Sequence, residues 1–314
     1  MANQTLSSRR LALVAGLVAV AFAGSSAAAG FGVDATAGKR TPEAVPVGLG
    51  HSYSYQTLDF PGATQTIIWG LNDFGEMAGQ YTMPGSVAHA MAYRHGKFQA
   101  LAPDMLGTNF SAAGGPTDEG ITFGGYADAS GVQHGFTIHK GKFETVDFAG
   151  HLNSNVDAVD GCDTILGVYW DADKIFHGML SRNGNQTPID VDGARDTYPL
   201  GLNSKGDSVG YWDADGVVTH GYVRHADGRI ATLDVPDAAR TTAFAINDRG
   251  QVAGYFMDTS GRLHGFVKTG QQFQQLDMPG AVATVVTALN NWGNVAGEYF
   301  DASGGHHGFL ATLK

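Results

Sequence analysis

Six times along the chain an aspartate, a hydroxyl residue and a histidine recur at fixed distances, the three side-chain types of a hydrolytic nucleophile set. Take Gly79, Gly124, Gly167, Gly210, Gly254 and Gly297 as anchors. Ten residues after each stands a histidine: His89, His134, His177, His220, His264 and His307. Twenty residues before stands an aspartate: Asp59, Asp104, Asp147, Asp190, Asp234 and Asp277. Thirteen before stands Thr66, Ser111, Ser154, Thr197, Thr241 or Thr284, and two after an aromatic: Tyr81, Tyr126, Tyr169, Trp212, Phe256 or Tyr299. One chain would then carry six identical catalytic sites, whereas a site constellation normally occurs once per fold. The same groups suit a buried, charge-assisted hydrogen-bond network that pins the strands of each copy. On that reading, removing any one of the six histidines costs about the same stability.

If the repeat holds the fold, chemistry belongs where one copy departs from the others. Asp157 stands where the other copies have Trp69, Gly114, Leu200, Phe244 and Thr287, with Asn155 two residues before it. His151, Asp192, Arg195 and Arg240 occupy links between copies that are elsewhere mainly small or neutral. Two guanidinium forks suit a carboxylate or sugar-acid ligand, or are solvated loop cations. Trp170 and Trp212 end strands of neighbouring copies and suit stacking on sugar rings, or packing between blades. Glu298 is the only acid at its repeat position, and an acid pair with Asp157 across a channel is what hydrolases and lyases use. Asp157 and His151 are therefore the candidate proton carriers. Arg195, Arg240, Trp170 and Trp212 are the candidate ligand contacts.

Metal and cofactor chemistry has no motif here. His306 and His307 are adjacent, so on a strand they point to opposite faces. The turn "WDADG" is too short for a calcium loop of the EF-hand type. Cys162 is the only cysteine, which excludes an intrachain disulfide and a paired-cysteine metal knuckle.

What must position these residues is a unit of four short strands. In the fifth copy "TTAFAIN" is the first strand, "QVAGYFM" the second, "HGFVKTG" the third and "FQQLDM" the fourth, with "DRG" and "DTSGR" as turns and "PGA" leading on. No stretch sustains a helical period. Glycine, 45 of 314 residues, is roughly twice ordinary usage and supplies the turns. Copies of 43 to 45 residues with four strands each read as propeller blades. Six copies predict an all-β, six-bladed β-propeller of four-stranded antiparallel blades over residues 51–314. The last copy, "HGFLATLK", stops after its third strand. Its fourth is supplied by "YSYQTLDF", about residues 53–60, so the N-terminal strand pairs with the C-terminal strand and closes the ring. In the second copy "SAAGGPTDEG" replaces a regular first strand, and its proline predicts poor pairing on one side.

The net charge of −11 opposes phosphate backbones, so nucleic acid is not an expected partner. Arg9 and Arg10 precede the apolar run "LALVAGLVAVAF", too short to span a bilayer but suited to a signal peptide over residues 1–29, of the Sec type or, from "SSRRLAL", of a weak twin-arginine type. Residues 30–50 read as a flexible leader. No other segment is long and apolar enough to cross a membrane. The chain is expected to be secreted or periplasmic and monomeric.

The phrases "INDRGQVAGY…DTSGRLHGF" and "LNNWGNVAGEYFDASGGHHGF" resemble the bacterial HAF-type extracellular repeat family, named for a His-Ala-Phe triplet in each copy. Here the triplet is mostly His-Gly-Phe, with His89-Ala90-Met91, His177-Gly178-Met179 and His220-Gly221-Tyr222 as variants. The resemblance covers roughly residues 53–314. It implies a secreted, β-propeller-like protein and assigns no catalytic residue. Two functions remain open: a propeller binding a polysaccharide or other polar or anionic ligand at its loop-rich face, and a small secreted hydrolase or lyase with one site at the channel mouth.

Overall fold

The computed structural model describes residues 52–101, 109–148, 150–151, 153–161 and 163–314. The signal and leader segments, Asp104 and Cys162 lie outside the described residues. The protein is an all-β propeller with four-stranded antiparallel blades. Four sheets have four strands each, and eight further strands form one sheet. In that larger sheet the strands Ala283–Leu289, Val295–Phe300, His306–Leu313 and Tyr53–Leu58 pair in turn. A single parallel bridge, Gln65 to His306, joins them to the four strands of the first copy. Among the described residues no helix is long and apolar enough to cross a membrane.

The strand Tyr53–Leu58 pairs antiparallel with His306–Leu313, from Tyr53 opposite Leu313 to Leu58 opposite Gly308. Past the strand end, Asp59 accepts a hydrogen bond from His307 Nδ1 at 2.9 Å. The first repeat residues in sequence thus complete the last copy.

Every innermost strand carries a β-bulge at the same place, one residue being left without a partner: Trp69, Gly114, Asp157, Leu200, Phe244 and Thr287. The anchor glycine lies opposite the bulge. A Cβ there would sit 1.9 to 2.1 Å from an innermost-strand carbonyl oxygen in all six copies. The bulge also explains why the second copy is regular despite its proline. Phe110–Pro116 pairs with Thr122–Ala127 in the common register. Phe110–Pro116 ends its sheet and has one paired neighbour, so the edge that faces the axis needs no donor from Pro116. Phe123 fills the space beside Gly114 and Gly115, whose Cβ atoms would stand 2.8 and 2.7 Å from its ring.

The repeated triplet is a packing device. Its glycine abuts the fourth strand, where a Cβ at Gly221 would stand 2.4 Å from the Leu233 carbonyl oxygen. Its third residue is buried in every copy: Met91, Phe136, Met179, Tyr222, Phe266 and Phe309. Each such side chain contributes about 1.5–3 kcal/mol through removal from water.

His134, His177, His220, His264 and His307 each place Nδ1 within 2.8 to 3.1 Å of the fourth-strand aspartate of their blade. Four of these rings, and that of Trp212's partner His220, stack on the repeated aromatic at 4.8 to 5.2 Å. The hydroxyls have a different task from the one the spacing suggests. Thr66, Thr197, Thr241 and Thr284 accept backbone N–H bonds from the link that leads into their strand, fixing the step between blades. Ser154 instead donates to Asp147, the aspartate that ends the preceding blade, at 3.3 Å, and Ser111 accepts from the Ala90 N–H.

The histidines also differ in burial, so their contributions differ. The His264 side chain is 6% exposed and that of His220 is 37% exposed. We expect His264→Ala to cost about 1–3 kcal/mol in urea unfolding, because Asp277 and Asp258 lose a shared buried partner and Asp277 is left with Gln275. His220→Ala is expected to cost under about 1 kcal/mol. Equal losses at the two sites would count against this account. Burial opposes charging of His264, but hydrogen bonds and charge from Asp277 and Asp258 outweigh it, so its pKa is raised. His307 is raised by the same balance, with Asp59 and Asp301. A raised folded-state pKa stabilises fully below the unfolded value of roughly 6.5, and that stabilisation is lost as pH climbs through the folded value. The melting temperature should therefore fall between about pH 6 and pH 8, and fall less in a His264→Gln, His307→Gln double variant.

Candidate functional site

The inner turns stitch one blade to the next. Asn72, Asn203, Asn247 and Asn290 each fold their own turn, Oδ1 accepting from the N–H groups two and four residues on. Their Nδ2 groups reach the following copy, donating to the carbonyl oxygens of Thr117, Asn247, Asn290 and Asn72. The residue after each asparagine repeats the pattern through its own N–H. Asp73, Ser204, Asp248 and Asn291 donate to the side chains of Asp118, Asp248, Asn291 and Asp73. All these bonds run the same way round, and the bonds from Asn290 and Asn291 join the last copy to the first across 218 residues of sequence. The third copy, whose turn begins Asp160-Gly161, has no asparagine to pass the pattern on.

Inside this ring lies a cavity of about 270 Å³, lined by the inner strands of all six copies. The bulges supply much of its wall, because the unpaired residue of each is free to turn towards the axis. Trp69 of the first copy and Phe244 of the fifth stack, centroids 5.9 Å apart and planes at 22°. Trp69 Nε1 donates to Gln80 Oε1 at 3.3 Å, which holds the indole in place. Asp157 also lines the cavity. Its Oδ1 accepts from Asn155 Nδ2 at 2.5 Å, and its Oδ2 is buried with no partner among the described residues. Burial pushes the Asp157 carboxyl well above the usual carboxylate range, with only the Asn155 bond opposing. The phenols of Tyr198, Tyr211 and Tyr222 lie close enough to feel its charge.

The cavity rim is acidic: Asp73, Asp118, Glu119, Asp160 and Asp248 all line it, while no Lys, Arg or His does. Burial raises the Asp118 pKa, and the charges of Asp73, Glu119 and Asp248 add to the rise against a bond from the Asp73 N–H. Beside the rim stand two exposed aromatics, Phe74 at 76% and Trp292 at 60%. Trp292 Nε1 donates to the Asp73 carbonyl oxygen at 3.0 Å, so the two belong to adjoining turns. Neither was singled out from sequence. The signal was present: "NDFG" and "NNWG" put a bulky aromatic where "TDEG", "NSKG" and "NDRG" have a charged residue.

The cavity opens at the inner turns, the face opposite the one that carries the links between copies. Of the sequence candidates, Asp157 lines it, and His151, Arg195, Arg240, Trp170 and Trp212 do not. The nearer-link ends of the inner strands, Ile67, Ala112, Asn155, Tyr198, Thr242 and Val285, are all buried, which fills the axis on that side. His151 stacks on Tyr169 at 3.6 Å, before the strand Asn153–Asp160 begins. Its surroundings and the charge of His177 lower its pKa. Arg195 is ion-paired to the buried Asp196, and Arg240 lies near enough to Asp215 to help lower that carboxyl, though the N–H bonds of Val218 and Val217 do more. Both arginines thus flank one turn, each beside a carboxylate. Trp170 is buried against Phe176 and Tyr198 and has no face free for a ligand. Trp212 stacks on His220. Glu298 is buried and bonded to His306, which accepts from Gln65, so it does not face Asp157 across the cavity.

No family model matches the chain, and no curated protein matches it. Among solved structures it is similar to TolB from Acinetobacter baumannii at 11% identity and a TM-score of 0.50, over 77% of this chain and 66% of that one. It thus spans about two thirds of the length of that TolB chain. It is also similar to the fucose-specific lectin from Aleuria aurantia, at 10% identity and a TM-score of 0.47 over 76% of this chain and 79% of that chain. A gluconolactonase from Xanthomonas campestris matches at 12% identity and 0.47, over 83% and 90%. The likeness to TolB shows the fold, a β-propeller.

Proposed function

We propose that this chain is a six-bladed propeller of the HAF repeat type that binds a glycan outside the cytoplasm, at the face formed by its inner turns. The six-blade reading takes the eight-stranded sheet as two blades joined by one bridge. The pairing of Tyr53–Leu58 with His306–Leu313, and the bonds of Asn290 and Asn291 to the first copy, support it. Export rests on the basic and apolar start of the chain.

One observation carries the glycan reading: Phe74 and Trp292 stand exposed on adjoining turns at the mouth of a polar cavity. Aromatic rings at an exposed site stack on the C–H face of a sugar, and neighbouring Asn and Asp groups bond its hydroxyls. The axial acid offers no support for turnover, since Asp157 shares the cavity with neither His151 nor Glu298. A glycan array with the chain from residue 30 onward should give a positive set, and Phe74→Ala with Trp292→Ala should weaken every hit by about thirtyfold. Its melting temperature should not move. Unchanged binding in the double variant would end the proposal.

A further inference from the structure

The geometry points to a ligand with a free primary amine, an amino sugar whose ammonium group enters the axial cavity and pairs with Asp157. This rests on the reading of the inner-turn face as a glycan site and names the sugar class. Three independent features of the cavity select a cation. The rim carries five carboxylates and no lining cation; Lys205 acts on Asp248 and Arg182 on Asp160, so carboxylates still outnumber the cations near them and favour a positive group over a uronic acid. Trp69 and Phe244 present aromatic rings, whose faces attract an ammonium held against them. Asp157 keeps one carboxyl oxygen buried and unpartnered, which is costly unless a donor arrives. An ammonium has three N–H donors and carries the charge that an ionised Asp157 needs. Among the described residues no three His, Cys, Asp or Glu are grouped to hold a metal ion. At about 270 Å³ the cavity takes one sugar ring or less, leaving Phe74 and Trp292 for the next.

Asn155 bonds Asp157, and the phenols of Tyr198, Tyr211 and Tyr222 lie close enough to feel its charge; none of these groups is a cation. Without ligand the carboxyl holds its proton more firmly than an exposed one. Pairing with an ammonium favours the ionised carboxylate, so any proton that Asp157 still holds at the working pH leaves for the buffer.

Calorimetry with three trisaccharides tests this: the glucosamine trimer, its fully N-acetylated form, and trigalacturonate. Near pH 6 the glucosamine trimer should bind at least about tenfold tighter than the acetylated one, since a tenfold ratio needs only a single favourable charge contact. Trigalacturonate should not bind. Binding of the glucosamine trimer should release protons, seen as a heat that changes with the buffer's ionisation enthalpy, and Asp157→Asn should bring the amine-to-acetyl ratio close to one. The proton measurement uses the wild-type protein, so it stands even where the variant fails to fold. If the acetylated trimer binds as tightly, with no proton released, the amine assignment is overturned while the glycan site stands. If none of the trimers binds and the array is empty, both readings fall together.

Discussion

Removing residues 53–60 is expected to make the protein aggregate. The strand Tyr53–Leu58 covers the outer edge of His306–Leu313 along its whole length. Without it, the backbone donors and acceptors of that edge stand open, a template for pairing with another chain. Side-chain losses compound the exposure. Leu58 is buried, Tyr55 packs on Phe309 with centroids 6.4 Å apart, and Tyr53 donates to the Gly293 carbonyl oxygen at 3.2 Å. His307 would also lose Asp59. Size-exclusion chromatography with light scattering should show species larger than the intact protein gives, and a synthetic peptide of residues 52–61 added in trans should restore the intact protein's mass. A deletion variant that stays no larger than the intact protein, with an unchanged melting temperature, would refute the role given to this strand.

Almost as large an effect is expected from a single methyl group. Gly254 faces the bulge at Ala243–Ala245, and a Cβ there would stand 2.0 Å from the Thr242 carbonyl oxygen. The obstacle is backbone within a paired strand, so no side chain can swing aside. Gly254→Ala should cost about 3 kcal/mol, the upper end for overpacking, and should lower the urea midpoint accordingly. Gly304→Ala is the control. Its Cβ meets open space, but its φ is +86°, so about 1 kcal/mol of backbone strain is expected. If both variants unfold at the same urea concentration, the bulge does not account for the repeated glycine.

The two sites show what a sequence can and cannot reveal. The four-strand copies were legible because fixed spacing at six places leaves few alternatives, and the pairing of each histidine with an aspartate followed from which strand ends meet. The task of Thr241 was not legible. A hydroxyl beside a histidine and an aspartate suggests a triad, yet a backbone N–H in the link lies nearer to it. The bulge was invisible, because an extra residue in a strand leaves no composition signature and the alternation rule simply slips past it. That slip matters at the site. It turns Trp69 and Phe244 into the cavity, where they had served only as comparisons for Asp157. The cavity lies on the other face from the one the links suggested, for a related reason. Charged residues in the links, such as Arg195, looked free, but Asp196, one residue on, takes its charge. The exposed aromatics of the inner turns looked like ordinary turn residues.

The pairing of the two chain ends also sets a clock. His307 and its partner Asp59 are 248 residues apart in sequence. At roughly 5–20 residues per second of synthesis, the strand Tyr53–Leu58 waits between about ten seconds and a minute before its partner exists. During that wait an apolar edge is unmatched, and the slow, non-local closure comes last. A chain built this way is safest when something holds it unfolded until it is finished, and translocation as an unfolded thread does so.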